Sequence, residues 1–99
     1  TWCFYYQKAT LARQLGDWGQ IANLGKQASK LDLHPNDQIE WMPFLQSAAM
    51  LGDEKLVKQI STRINTELLY KQQACQNLKK MNLTSTMQGY IRELFCNGN

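Results

Sequence analysis

The chain predicts an all-α fold of about six helices, arranged as antiparallel helix-turn-helix pairs. Three observations carry this expectation. Leu15-Gly16-Asp17 returns 36 positions later as Leu51-Gly52-Asp53, and self-similarity at a period of a few tens of residues marks stacked units, none of which buries its apolar face alone. The flanks repeat as well, since Tyr5 aligns with Trp41, Ala12 with Ala48, Ile21 with Val57 and Ala28 with Ile64. Helix-start signals recur along the chain, and no segment alternates as a half-buried strand would.

The first helix is expected from about Trp2 to Leu15, with Tyr5, Ala9, Ala12 and Leu15 in one inward stripe and Lys8 and Arg13 off it. Glycine past its end supplies the left-handed conformation that a Cβ makes costly, and the aspartate behind it caps the next helix. The second helix then runs from Asp17 to about Leu31. After His34-Pro35, Asp37-x-x-Glu40 has the form of a capping box. Pro43 lacks the N–H that would bond to the carbonyl of Ile39, so the third helix is either kinked or starts one turn later. Asp53 to about Ile64 makes the fourth helix and Thr66 to Lys80 the fifth. The sixth, Ser85 to Cys96, opens on Ser85-x-x-Gln88, and the tail Asn97-Gly98-Asn99 is expected to fray.

Ala9, Gly16-Asp17-Trp18, Ile21, Ala28 and Pro35 in the first unit, and Trp41, Ala48, Gly52, Asp53, Val57 and Ile64 in the second, resemble the tetratricopeptide repeat. The second unit departs from the pattern with Leu45 at the small position and Glu54 at the turn aromatic. A third, looser unit runs from Thr66 to Cys96, with Cys75 at the small position, Asn82 in the glycine's place, and Met87, Ile91 and Leu94 facing inward. The resemblance implies a short right-handed superhelix with units at about 2–35, 36–65 and 66–96. The first helix of each unit would line a concave face that docks a peptide. That brings forward Tyr6, Thr10, Arg13 and Gln14, then Met42, Gln46, Ala49 and Met50, then Gln72, Gln76 and Lys79. Methionines and Tyr6 offer apolar area, glutamines offer donors and acceptors, and Arg13 and Lys79 can hold a carboxylate or phosphate. Tyr6 and Thr10 stand where chaperone-binding members carry their clamp residues, so chaperone tails are disfavoured.

Hydrophobic residues make up 43% of the 99 and charged residues 19%, enough for one modest core without metals or crosslinks. No stretch approaches the roughly 20 apolar residues of a membrane span. Cys3, Cys75 and Cys96 form no C-x-x-C pair and are odd in number. They therefore read as core thiols in a reducing, cytoplasmic setting, with a Cys3–Cys96 closure as the alternative in an oxidising one. His34 lacks a partner pattern for nucleophilic or metal chemistry, and Asp17, Asp37, Glu40 and Asp53 are explained as helix caps. No catalytic, cofactor or metal residue is expected.

The net charge of +3 is uneven. Residues 1–50 carry four basic and four acidic side chains, and residues 51–99 carry seven and four. Lys55, Lys58, Arg63, Lys71, Lys79, Lys80 and Arg92 read as solvated helix faces rather than a nucleic-acid platform. Asn82-Leu83-Thr84 matches the N-glycosylation pattern, a frequent accidental match. Trp2, Phe4, Tyr5 and Tyr6 point to different sides of one helix, so something else covers some of them: a preceding part of a longer protein, self-association through Trp2, Phe4 and Tyr6, or a membrane interface. The segment Trp2-Cys3-Phe4-Tyr5-Tyr6-Gln7-Lys8-Ala9 is similar to the start of soluble tails that follow the last span of some large bacterial multipass proteins, glycosyltransferase-like ones included. Together with a start at Thr1, it suggests an excised piece.

The leading expectation is a protein-interaction module that binds a peptide segment or its own parent protein through the concave helix faces. The competing one is a non-catalytic structural appendage of a membrane-embedded enzyme such as a glycosyltransferase.

Overall fold

The computed structural model describes residues 1–97. The helices are α1 Trp2–Gln14, α2 Trp18–Lys30, α3 Met42–Met50, α4 Glu54–Ile64, α5 Leu68–Lys79 and α6 Ser85–Phe95, with a 3₁₀ turn at Gln38–Trp41 before α3. No strand occurs among the described residues, and Gly98 and Asn99 of the tail expected to fray lie outside them. Short turns fold α1 on α2, α3 on α4 and α5 on α6 as antiparallel pairs. Central α3 also packs on α1, α2 and α5, while α4 packs on α5 and α6.

The 36-residue echo yields the same turn twice. Gly16 and Gly52 have φ of +68° and +76°. Asp17 N–H donates to Ala12 O at 2.9 Å, and Asp53 N–H to Ala48 O at 2.8 Å. Each aspartate then caps the following helix, Asp17 accepting from Gln20 N–H at 3.3 Å and Asp53 from Leu56 N–H at 3.2 Å. Gly16→Ala and Gly52→Ala should therefore cost the same, about 1–2 kcal/mol each for a Cβ in the left-handed region. Urea unfolding of the two variants checks this, and a gap between them larger than about 1 kcal/mol contradicts equivalence of the turns.

Leu15, expected in the inward stripe, is 78% exposed. At 100° per residue it sits about 80° off the direction of Tyr5, too far round to share the face of Ala9 and Ala12. Pro43 resolves as a late start: it occupies the first turn of α3, where the missing N–H costs nothing. Asp37 caps the 3₁₀ turn, but Glu40 does not close the box, because its carboxylate accepts the indole N–H of Trp2 at 2.9 Å. The cap of α6 is Thr84 rather than Ser85, its hydroxyl accepting from Met87 N–H at 3.2 Å. Asn82 does not reproduce the left-handed glycine, since Asp32 at φ 56° is the non-glycine residue there.

One apolar cluster runs through all six helices, from Ala9 and Ile21 through Leu45, Val57 and Ile64 to Leu78, Met87, Ile91 and Phe95. Leu45 at the expected small position is fully buried, and so is Phe95, which the expected inward set of α6 did not include. Ser47, 1% exposed, donates its hydroxyl to Trp18 O at 2.7 Å and ties α3 to the start of α2. The cysteines differ from the core-thiol expectation: Cys75 on α5 and Cys96 at the end of α6 form a disulfide, with Cα atoms 5.2 Å apart, and exposed Cys3 is free.

Candidate functional site

Of the residues expected on a concave face, the structure joins Arg13 and Gln46 across α1 and α3, the guanidinium Nη1 donating to Gln46 Oε1 at 3.2 Å. Tyr6 and Thr10 are both half-buried, and Thr10 donates its hydroxyl to the backbone carbonyl of Tyr6 one turn back, which engages the Thr10 side chain within α1. Met42 is withdrawn: beginning α3 beside Pro43, it is 4% exposed and belongs to the core. Met50 is half-buried, while Gln14, Gln72, Gln76 and Lys79 are exposed on α1 and α5. This face is polar, and its apolar contribution is smaller than the sequence suggests.

The larger opening lies elsewhere. Between α2 and α4 runs a groove of about 960 Å³ whose floor is α3. Phe44, Ala48 and Ser47 form that floor, Ile21 and Gly25 one wall, and Leu56, Gln59 and Ile60 the other. Gly25 permits the close approach of α3, because a Cβ there would meet Phe44 Cδ1 at 3.1 Å. An aromatic cluster bounds the groove: the Trp2 ring lies 5.3 Å from Trp41 and 5.2 Å from Phe44, in tilted contacts with interplanar angles of 59° and 45°. Both indoles are held from outside, Trp2 by Glu40 and Trp41 by Gln38, its N–H donating at 2.8 Å.

The rim is charged. Lys26 on α2 and Lys55 and Arg63 on α4 are exposed along it, with His34 and Asp32 in the turn after α2. Lys26 stands on one wall and Lys55 and Arg63 on the other, three cations against the two carboxylates of Asp32 and Asp53. Trp2, Lys26, Trp41, Lys55, Gln59 and Arg63 were not legible as a set. They line one opening because tertiary packing brings α1, α2, the 3₁₀ turn and α4 together around α3, which no spacing within a single helix encodes.

The carboxylates expected as caps have structural partners. Asp37 accepts from Ile39 N–H at 3.3 Å and from the Tyr70 hydroxyl at 2.8 Å. The bond to Asp37 pushes the Tyr70 phenol up to about 12. Tyr70 ionises at a lower pH in the unfolded chain, near its ordinary value of about 10, so its contribution is complete below that pH and is lost as pH climbs from about 10 to about 12. The gap in unfolding free energy between the native chain and Tyr70→Phe should therefore narrow across that range; a gap constant with pH contradicts the assignment. Hydrogen bonding to Glu54 likewise raises Tyr90, whose ring carries Lys58 Nζ at 4.6 Å from its centroid. With Lys71 donating to Asn97 O at 3.4 Å, two of the seven C-terminal cations already have partners.

A third surface is the outer face of α1. Phe4, Leu11 and Leu15 are 51%, 61% and 78% exposed and fall on one stripe with Lys8, whose ammonium sits 4.8 Å from the Phe4 centroid. Trp2, by contrast, packs against the chain's own Trp41 and Phe44. Among the described residues no group of three or more metal-ligating side chains gathers, and no helix is long and apolar enough to cross a membrane. No protein-family model, no curated protein and no solved structure matches the chain.

Proposed function

We propose that this domain is a tetratricopeptide-like interaction module that docks a protein segment, and that the groove between α2 and α4 is its principal docking surface. The observation that carries the reading is the groove itself: an opening over the closely packed central helix, with half-buried Trp2, Trp41 and Leu56 along it and cations on both walls. Such a surface suits a segment with large apolar anchors and acidic flanks. The face of α1, α3 and α5 is the secondary surface, with Arg13 and Gln46 pre-arranged on it by their mutual bond. The reading assigns binding and no reaction, supported by the structural engagement of Asp17, Asp37, Glu40 and Asp53.

The stripe of Phe4, Leu11 and Leu15 favours a second reading, the structural appendage of a larger, membrane-embedded protein. Terminal helices of a stacked array need polar outer faces, and an apolar stripe there implies a covering surface.

Photo-crosslinking separates these readings. A photoreactive residue is placed singly at Gln59 in the groove, Gln76 on α5 and Leu11 on the stripe, in the full-length parent inside its source cells. The proposal expects a discrete adduct with another protein from Gln59. Adducts confined to Gln76 move the site to the α1–α3–α5 face, adducts confined to Leu11 and internal to the parent support the appendage, and no adduct at any position removes the docking proposal.

A further inference from the structure

We infer that this domain matures in an oxidising compartment, where Cys75 and Cys96 are joined as a permanent structural disulfide. Their Cα separation of 5.2 Å lies within the range a disulfide spans without backbone movement. Their setting separates this bond from the other uses of paired cysteines. The residues stand 21 positions apart on two packed helices, not in a C-x-x-C turn, which argues against a dithiol redox centre. No third ligand joins them among the described residues, which argues against a metal. Cys75 is 7% exposed within the apolar cluster and Cys96 is half-buried against it, whereas regulatory disulfides are the exposed, readily reduced ones.

The fold gives the bond a purpose. It fastens the end of α6 to α5 at the last pair of the stack, where α6 packs chiefly on α5 and α4. Cytosolic glutathione and thioredoxin keep such pairs reduced, so a permanent bond places the domain on the oxidising side of a membrane. Formation proceeds by exchange with a protein disulfide donor. The thiolate of one cysteine attacks a donor sulfur and expels the donor's other sulfur as a thiolate. The second cysteine's thiolate then attacks the chain-side sulfur of that mixed disulfide and releases the donor's remaining sulfur. The chain's two sulfurs lose two electrons in total, the donor's two gain them, and the two protons of the original thiols pass to the donor's reduced pair. Exposed Cys3 is left as a thiol.

Differential alkylation tests the inference on the protein as it exists. Source cells expressing the protein are quenched in acid, free thiols are blocked with a light maleimide under denaturing conditions, and disulfides are then reduced and labelled with a heavy one. Trypsin cleaves after Lys71, Lys79 and Arg92, so Cys75 and Cys96 fall on separate peptides. The expected result is heavy label on both in essentially every copy and light label on Cys3, in resting cells and after added peroxide alike. Light label on Cys75 and Cys96 overturns the inference. So does a mixed population that shifts with peroxide, since that is the behaviour of a redox sensor in a reducing compartment.

Discussion

Phe95→Ala is expected to lower the free energy of unfolding by about 3–5 kcal/mol, the cost of removing a buried phenylalanine ring together with the cavity it leaves. Phe95 is fully buried and is among the largest side chains so enclosed. It lies in the last turn of α6, the helix through which both α4 and α5 complete their packing. A domain of this size has a total stability of about 5–15 kcal/mol, so the loss is a third or more of the total for most values in that range. Urea unfolding followed by helical circular dichroism should show a lower midpoint with an unchanged slope. A loss under about 1 kcal/mol would mean that the C-terminal pair is not part of the cooperative core.

Opening the Cys75–Cys96 bond is expected to cost about 3 kcal/mol, the loop-closure contribution for a crosslink spanning 21 residues in the chain-entropy model. The measurement compares the oxidised chain, the reduced chain and Cys75→Ser/Cys96→Ser by denaturant unfolding. Reduced and substituted forms should fall together, with Cys3→Ser close to the oxidised chain because Cys3 is free and exposed. Equal stability of oxidised and reduced chains contradicts a structural role. Phe95 precedes Cys96, so the two perturbations act on one turn of α6 and should combine non-additively.

The helical turns were legible because local chemistry determines them. Leu-Gly-Asp encodes a left-handed residue followed by a cap, and both copies form the same bonds. Pro43 likewise forces a late helix start whatever packs around it. What escaped the sequence is non-local. The Trp2 to Glu40 bond joins residues 38 apart and takes Glu40 from its expected capping role. The disulfide depends on α5 and α6 packing in one register, and an odd cysteine count spoke against it. The groove depends on how α2 and α4 pack about α3, including the close approach of Phe44 to Gly25. Met42 shows the converse error, a residue of the expected concave face that the start of α3 turns into the core. The repeat therefore predicted where helices turn but not which inter-helix surface stays open.

The most direct test of the docking claim is the affinity of the segment that crosslinks at Gln59, prepared as a synthetic peptide and titrated against the native domain, Lys26→Glu/Arg63→Glu and Gln14→Ala/Gln76→Ala. Reversing a cation on each wall of the groove is predicted to weaken binding at least tenfold, about 1.4 kcal/mol, with the Gln14 and Gln76 variant unchanged. Undiminished affinity in the Lys26 and Arg63 variant, or a loss confined to the Gln14 and Gln76 variant, would contradict the assignment of the groove as the docking surface.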